Sequence, residues 1–449
     1  MRPFFNKILN TNIYFSLLLA MMPVSFIAGN LIINLNIVLI VISAIIFFKK
    51  DLFNIKFFIL DKFIFAFFFL IIFTGIYNDI YFIVTDSYPA GFNTIKKSFL
   101  FLRYLLLYIA LRYLIEKKLI SLKYFFISCL LCSLFVSLDI FYQFKFGKDI
   151  FGFETVNNGR RLSGPFGDEL IAGGYLARFS IFSLFLIPLF FEKISQRILK
   201  FLIPTLVIIF ISGIILSGNR MPLIMFIFTL SLIMIFQKQT RKYLLVFVAS
   251  FIIIFSIIFK LNSEIKIHFF NFYDQVNKIV LYVSKGGFQN EAVPFNASIN
   301  PNIGYLKEFE TFYHTWLMNK YIGGGIKNFR WYCHHREPGI HKRKGFICNM
   351  HPHNYYLEIL TEVGLIGMAI VMFIFLRIIY LSFYKKYFSN SSLNYNKIVI
   401  PFIFLFISEI FPLKSTGSFF TTNNTTYLFL IVAILIGLIN RDNFIENKN

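Results

Sequence analysis

The stretch LIINLNIVLIVISAIIFF fills residues 31–48 and is followed at once by Lys49 and Lys50. It carries no charged side chain and is long enough to cross the hydrocarbon core of a bilayer as a helix. Similar apolar runs recur along the 449-residue chain, which is 57% hydrophobic and only 15% charged. A soluble fold of this size could not bury so much apolar surface, so lipid must cover part of it. The sequence therefore predicts an all-α, polytopic membrane protein, because helices satisfy their own backbone groups in lipid.

Twelve such runs are predicted to be transmembrane helices. They cover residues 12–28, 31–48, 63–78, 98–115, 122–143, 169–191, 201–217, 221–237, 243–259, 355–383, 398–412 and 425–440. The first run resembles a signal peptide, but no clear cleavage site follows it, so we predict that it is retained as a helix. The chain then divides into nine spans in residues 1–259, a large loop in residues 260–354 and three spans in residues 355–449.

The net charge of +22 would suggest a nucleic-acid partner if the basic residues were clustered on one surface. They are instead distributed so that every loop predicted to be cytoplasmic carries lysine or arginine, as at Lys49 and Lys50. The positive-inside rule then places both termini in the cytoplasm and the 260–354 loop on the outer face. The excess charge is therefore mostly a topology signal, and we expect no nucleic-acid partner.

The large loop concentrates residue types that are missing from the rest of the chain. All seven histidines and both tryptophans lie in it or at its edge. Exclusion from lipid explains their absence elsewhere, but it does not explain their density between residues 331 and 354. Apolar spacing also predicts two short helices within the loop, at 264–284 and 305–320, which would lie on the membrane rim.

The segment His351-Pro352-His353-Asn354 leads directly into the tenth predicted span. Asn354 is a favourable N-cap, so His353 should lie at a helix N-terminus on the outer membrane surface. That end of a helix favours an anionic ligand and a neutral imidazole that can accept a proton. The sequence therefore predicts a working site at His353, with His351 as a lesser neighbour. The alternative is an interfacial histidine without a role.

Arginines near the outer helix ends form a second group of candidates. Arg220 lies in the tight turn between spans seven and eight, where it would clamp a substrate phosphate or simply touch a lipid phosphate. Arg161 belongs to a basic, glycine-rich approach to the sixth span. Other charged residues map to outer helix ends and predict an outward-opening polar cavity; they are Arg103, Asp139, Asp168, Glu169 and Glu409.

Two cysteines, Cys333 and Cys348, flank the histidine-rich stretch. In an oxidising outer compartment they would form a disulfide that closes a short loop. Zinc is the alternative, with ligands drawn from the two cysteines and from the histidines around them, but the spacing fits no established zinc pattern. We therefore predict the disulfide and no metal; the histidines in question are His334, His335, His341, His351 and His353.

Two motifs in this region resemble the O-antigen ligase/polymerase superfamily of bacterial membrane glycosyltransferases. The first has a His, then Asn, Ser or Gln, then nine residues and Gly-x-x-Gly, as in His353-Asn354 and Gly364-Leu365-Ile366-Gly367. The second, Gly-x-Gly-x-x-Asn-Phe, is similar to the segment from Gly323 to Phe329. The predicted spans and the large outer loop also match, so the resemblance covers most of the chain.

The resemblance implies glycan transfer from an undecaprenyl-pyrophosphate carrier, on the periplasmic side of the bacterial inner membrane and without a metal or cofactor. An O-antigen ligase is favoured, with a sugar hydroxyl of lipid A–core as acceptor; a polymerase that extends carrier-linked glycan is the alternative. The family's catalytic histidine falls on His353, and an arginine that contacts the pyrophosphate falls on Arg220. A second family arginine has no clear match, and the candidates are Lys307, His314 and Arg330.

A secondary transporter is the alternative from a different class, since twelve spans are also typical of transporters. Such a protein should show paired halves, and polar residues or broken helices near the bilayer midplane. The sequence shows no internal repeat, and most charges that topology does not explain lie near the outer face. The transporter is therefore disfavoured.

Overall fold

In the residues that its computed structural model describes, the protein consists of helices and the segments that connect them, and no strand occurs. Nine helices in this part of the chain are long and apolar enough to cross a membrane. The predicted fold class, an all-α polytopic membrane protein, is thereby confirmed. The described residues are 2–85, 93–155, 161–191, 196–237, 244–284, 304–333, 348, 351, 353–388, 396–415 and 417–446.

The helices follow one another in an order that matches the predicted spans. They are α1 (Arg2–Ala28), α2 (Asn30–Phe48), α3 (Lys50–Phe53), α4 (Ile59–Val84), α5 (Thr94–Glu116), α6 (Leu122–Phe146), α7 (Ala172–Phe190), α8 (Gln196–Leu216), α9 (Arg220–Phe236), α10 (Leu244–Leu261), α11 (Ser263–Ser284), α12 (Gly304–Leu317), α13 (Phe329–Tyr332), α14 (Tyr355–Ile379), α15 (Asn396–Glu409) and α16 (Thr422–Glu446). A π-helical stretch, Tyr380–Phe388, extends α14. Three of the apolar helices are shorter than a full span, so the count of twelve stays a prediction; they are Arg220–Phe236, Phe251–Leu261 and Ile398–Glu409.

The outside of the bundle is apolar, and its centre is formed by α16. Leu31, Phe69 and Phe201 are each more than 70% exposed on outward-facing helix surfaces, as expected for side chains that contact lipid. By contrast, Leu430 and Leu435 of α16 are fully buried, and α16 packs against α5, α15 and α2. The last helix of the chain, α16, is therefore surrounded by the other helices.

The two helices predicted within the large loop are present as α11 and α12. Helix α11 contacts the turn before α9, because the His268 ring forms a hydrogen bond with the Gly218 carbonyl at 3.1 Å. Helix α12 packs against the glycine-rich segment through Phe312, whose ring stacks on Phe329 with 3.6 Å between centroids. Both helices thus contribute to the same end of the bundle, where α9 and α14 begin.

Helix α14 is interrupted at Gly364, which has φ 70° and ψ −171°. In a continuous helix, the carbonyls of Thr361 and Glu362 would accept hydrogen bonds from the N–H groups four residues later. Here they accept instead from the N–H groups of Gly324 and Gly325, at 2.9 and 2.8 Å. A segment about 40 residues earlier in the chain therefore fills one side of the break.

The same segment also fills the other side of the break. The N–H groups of Leu365 and Ile366 donate to the carbonyls of Lys320 and Tyr321, at 2.8 and 3.2 Å. Backbone groups that the kink would otherwise leave unpaired are therefore satisfied by protein, as an apolar environment requires. The broken helix and residues 320–325 form one interlocked unit.

Glycine is required where these two backbones meet. A Cβ atom on Gly364 would lie 2.2 Å from the Tyr321 carbonyl oxygen, and a Cβ atom on Gly323 would lie 2.4 Å from the Glu362 carbonyl carbon. Both glycines also have φ near 70°, a conformation that other residues rarely adopt. The two sequence motifs therefore meet at a single structural junction.

Candidate active site

A cavity of about 580 Å³ lies at the end of the bundle where α14 begins. Its wall is formed by the start of α7, α9 and α16, by the end of α15 and by loop residues that include His351 and His353. The volume is in the range of small-molecule binding sites. Two of the charged residues predicted to surround a polar cavity, Glu169 and Glu409, contribute to this wall.

The two histidines lie side by side in the cavity wall, with 4.4 Å between their ring centroids. Burial lowers the pKa of His353. Burial and, to a lesser extent, the neighbouring His353 lower the pKa of His351 to about 4. Both rings are therefore neutral at pH 7, and a neutral imidazole can accept a proton.

The backbone at His353 has φ 53°, in the left-handed region. Such a conformation is uncommon for any residue with a Cβ atom, although histidine tolerates it better than most. Strained backbone of this kind tends to occur at functional sites, where the surrounding structure over-determines it. The left-handed backbone at His353 determines the direction of its imidazole side chain, immediately before α14 begins.

Asn354 caps α14, as predicted. Its side-chain Oδ1 accepts from the N–H groups of Tyr356 and Leu357, at 3.0 and 3.2 Å. Its Nδ2 donates to the Pro412 carbonyl at 2.8 Å, which ties the start of α14 to the segment after α15. Asn354 therefore supports the histidine that precedes it.

We expect Asn354→Ala to lower the free energy of unfolding by about 1 kcal/mol, because two helix N–H groups lose their acceptor. Asn354→Asp keeps that acceptor and should cost less, although it loses the bond to Pro412. Thermal unfolding of the purified variants in detergent measures both effects. Equal losses for the two variants would contradict a capping role.

A buried ionic network forms another part of the cavity wall. Glu409 accepts from Arg178 through both carboxylate oxygens, at 2.7 and 3.1 Å, and Lys414 and the Tyr355 hydroxyl also donate to it. Asn424 accepts from Arg178 at 2.6 Å. Because unpaired charges are costly to bury, this mutual pairing explains how these groups remain in the bundle. Burial lowers the pKa of Lys414 to about 8, although Glu409 opposes the shift.

Arg220 is the first residue of α9 and lies next to the cavity. Its neighbours Asn219 and Pro222 line the cavity. Its own guanidinium donates to the His268 carbonyl at 3.3 Å and lies 4.9 Å from the centre of the Phe272 ring. In this conformation Arg220 points toward helix α11, and its role as a pyrophosphate clamp remains a proposal.

The other predicted contacts lie apart from the cavity wall or outside the described side chains. His314 is half-buried on α12, where its ring meets that of Tyr313 edge to face. Arg161 is half-buried in the segment before α7, and neither residue lines the cavity. The side chains of Lys307 and Arg330 lie outside the described part of the chain.

The structure joins Cys333 to Cys348 in a disulfide, with 5.8 Å between their Cα atoms. This arrangement leaves neither sulfur as a thiolate for zinc. The disulfide links the end of α13 to Cys348, which lies three residues before His351. The candidate zinc ligands His334, His335 and His341 lie outside the described residues.

Three cationic side chains of the cavity, Arg178, Lys327 and Lys414, were not predicted from the sequence as site residues. Arg178 did carry a signal, since a lone arginine within an apolar span normally faces a polar cavity. Lys414 lies between the eleventh and twelfth predicted spans, and no motif distinguished it. Lys327 lies at a variable position of the glycine-rich motif, so no pattern distinguished it.

Fold and site together define a polytopic helical membrane protein with a polar cavity that combines cationic side chains and two neutral histidines. Residues 205–372 match the family model described as O-antigen ligase. This match begins within α8, includes α9 to α13 and ends within α14. It covers less than half of the chain and confirms the resemblance to this superfamily. No curated protein matches the chain. The similarity supports a membrane enzyme of the O-antigen ligase/polymerase type.

Proposed function

We propose that this protein transfers a glycan from undecaprenyl pyrophosphate to a sugar hydroxyl of lipid A–core, at the periplasmic face of the bacterial inner membrane. The observation that carries the proposal is the position of His353, neutral and partly buried, in a cavity that also contains cationic side chains. A base and positive charge are the two requirements of a transfer from a diphosphate carrier.

In the proposed reaction, His353 removes the proton from the acceptor hydroxyl as its oxygen attacks the anomeric carbon of the glycan. The bond between that carbon and the carrier diphosphate breaks, and the diphosphate leaves with the bonding electron pair. Attack opposite the leaving group inverts the anomeric centre. Cationic side chains stabilise the charge that develops on the leaving diphosphate, so the proposal requires no metal.

Arg220 is proposed as one of these cationic contacts, at the edge of the cavity. Its guanidinium would have to turn away from the His268 carbonyl and the Phe272 ring to reach a ligand in the cavity. Arginine suits this role because its planar fork binds phosphate oxygens in pairs. A membrane-lipid phosphate remains the alternative partner for this side chain.

The broken helix α14 gives no support to a transporter. Broken helices in transporters expose backbone groups to a substrate site. The groups freed at Gly364 are bonded instead to the backbone of residues 320–325. Their role is to hold the loop against the helix that follows His353.

Purified protein should be supplied with an undecaprenyl-pyrophosphate glycan and, in separate reactions, with lipid A–core or with a second carrier-linked glycan. Product on lipid A–core is the expected result and identifies a ligase. Product on the second carrier identifies a polymerase and would correct the acceptor. No glycan transfer to either acceptor, with movement of the intact donor across proteoliposome membranes, would refute a transferase.

A further inference from the structure

Among the cationic side chains that the structure describes in the cavity wall, Lys327 is the one whose ammonium forms no ion pair with a carboxylate. Its side chain lines the same cavity as His353. Its ammonium has no hydrogen bond or ion pair with any residue in the described part of the chain. Arg178 and Lys414, the other two cations of the wall, share the carboxylate of Glu409.

The backbone around Lys327 is held in an unfavourable conformation. The φ angle of Lys327 is 55°, in the left-handed region that residues with a Cβ atom rarely adopt. The N–H group of Lys327 donates to Glu362 Oε2 at 2.7 Å, and its carbonyl accepts from Lys97 Nζ at 3.2 Å. Glu362 is almost completely buried beside the break in α14. The interlocked unit therefore fixes the position of Lys327, as strained residues at ligand-binding sites are often fixed.

The surroundings of Lys327 favour an anion. Loss of water around the ammonium and, second, the nearby Arg103 guanidinium lower the pKa of Lys327, and the carboxylates of Glu362 and Glu358 oppose this only in part. A bound anion would offset both unfavourable effects. The lysine ammonium is a compact point charge and a frequent ligand of phosphate groups.

We propose that Lys327 binds a phosphate group of a substrate inside the cavity. This inference rests on the proposed function, because the phosphate belongs either to the carrier diphosphate of the donor or to a phosphorylated acceptor lipid. Glu362 and Lys97 then act as positioning residues, which hold the backbone from which Lys327 reaches the ligand.

The first test compares Lys327→Met, which removes the charge, with Lys327→Arg, which keeps it. We expect Lys327→Met to raise the KM of one substrate roughly 10- to 100-fold, as for the loss of a hydrogen bond to a charged group. Lys327→Arg should recover most of this loss. Lys320→Met is the matched control, because Lys320 is an exposed lysine of the same segment that does not line the cavity.

A second variant separates binding from folding. Lys327→Gly removes the charge but accepts the left-handed backbone without a steric penalty. We expect it to unfold at or above the temperature of the wild type and to show the same rise in KM as Lys327→Met. A loss of stability that accompanies the KM change in both variants would overturn the binding role, because Lys327 would then be merely structural.

The substrate whose KM rises identifies the source of the phosphate. A rise for the donor assigns Lys327 to the carrier diphosphate; a rise confined to the acceptor, and absent with dephosphorylated acceptor, assigns it to the acceptor phosphate. Unchanged KM values for both substrates in Lys327→Met would overturn the proposal while leaving the transferase function intact.

A direct measurement keeps the inference independent of catalysis. Binding of inorganic pyrophosphate to the full-length protein, followed by calorimetry, should be weakened in Lys327→Met and unchanged in Lys320→Met. A wild type that binds pyrophosphate more tightly than Lys327→Met does, and yet transfers no glycan, would support the phosphate site and refute the proposed function. If Lys327→Met binds pyrophosphate as well as the wild type, the phosphate site is wrong.

Discussion

Replacement of His353 by alanine should lower the rate of glycan transfer about 100- to 10,000-fold, the usual contribution of a general base. The acceptor hydroxyl would then have to lose its proton to water, while donor binding should change little. Because His353 has a left-handed backbone, His353→Asn is the better variant for excluding misfolding, since asparagine tolerates this conformation. Both variants should lose kcat and keep the KM of the donor.

Tyr273→Ala is the control for this experiment. Tyr273 belongs to the same large loop, is exposed on α11 and does not line the cavity. Its replacement should leave the transfer rate within about twofold of the wild type, as expected for a substitution away from the site. Transfer by His353→Asn at the wild-type rate would show that another group is the base.

The pH dependence of transfer should report the same histidine. Only neutral His353 accepts a proton, and burial holds its pKa below the ordinary value of 6.5. The rate should therefore fall to half of its plateau value at a pH below 6.5, where half of His353 has taken up a proton. His351, with a pKa of about 4, remains neutral at pH 6.5 and above. A kcat/KM profile that falls by half already at pH 7 would contradict this assignment.

The lowered pKa values of His351 and His353 also predict how the free energy of unfolding depends on pH. In the unfolded chain both histidines take up protons near pH 6.5, whereas in the folded protein they resist protonation until lower pH. The unfolded state therefore binds more protons below pH 6.5, and the contribution of these two residues to the free energy of unfolding decreases as pH falls.

Gly364→Ala should have the largest effect on stability, with a loss of more than about 4 kcal/mol in the free energy of unfolding. The conformation at this residue, φ 70° and ψ −171°, is accessible almost only to glycine. The added methyl group would also lie 2.2 Å from a backbone oxygen of Tyr321, which cannot move without breaking the bonds across the junction. We expect little folded protein after extraction in detergent.

Gly174→Ala is the control for this substitution. Gly174 lies in helix α7, and a Cβ atom there would find its nearest neighbour, Pro222 Cγ, at 4.0 Å. The change should be neutral or raise the free energy of unfolding by up to about 1 kcal/mol, since alanine favours a helix. Size-exclusion chromatography and thermal unfolding of both variants measure the contrast. A Gly364→Ala protein as stable as Gly174→Ala would show that the break in α14 is dispensable.

Local sequence was sufficient for the architecture of this protein. The length and apolarity of each run specify a helix in lipid, because a non-helical chain would leave its backbone groups unpaired there. The start of α14 was equally predictable, since Asn354 caps the N–H groups two and three residues ahead of it. The place of His353 beside that helix followed directly. Each of these features depends on residues that are close together in the chain.

Tertiary packing decided the composition of the cavity. Arg178 and Lys414 are more than 200 residues apart and meet only because Glu409 accepts from both. Their partners depend on which helices become neighbours, and the periodicity of apolar residues does not contain that information. Arg220 shows the same dependence, because its direction is set by contacts with α11.

The two glycine motifs show most clearly the difference between what the sequence predicts and what only the tertiary structure reveals. From the sequence they are separate patterns, one after α12 and one inside α14. In the folded protein the backbone groups of residues 320–325 replace the helical hydrogen bonds missing around Gly364. Hydrogen bonding between distant backbone segments leaves no periodic signal in either segment, so only the structure shows that the motifs form one junction and that this junction positions Lys327.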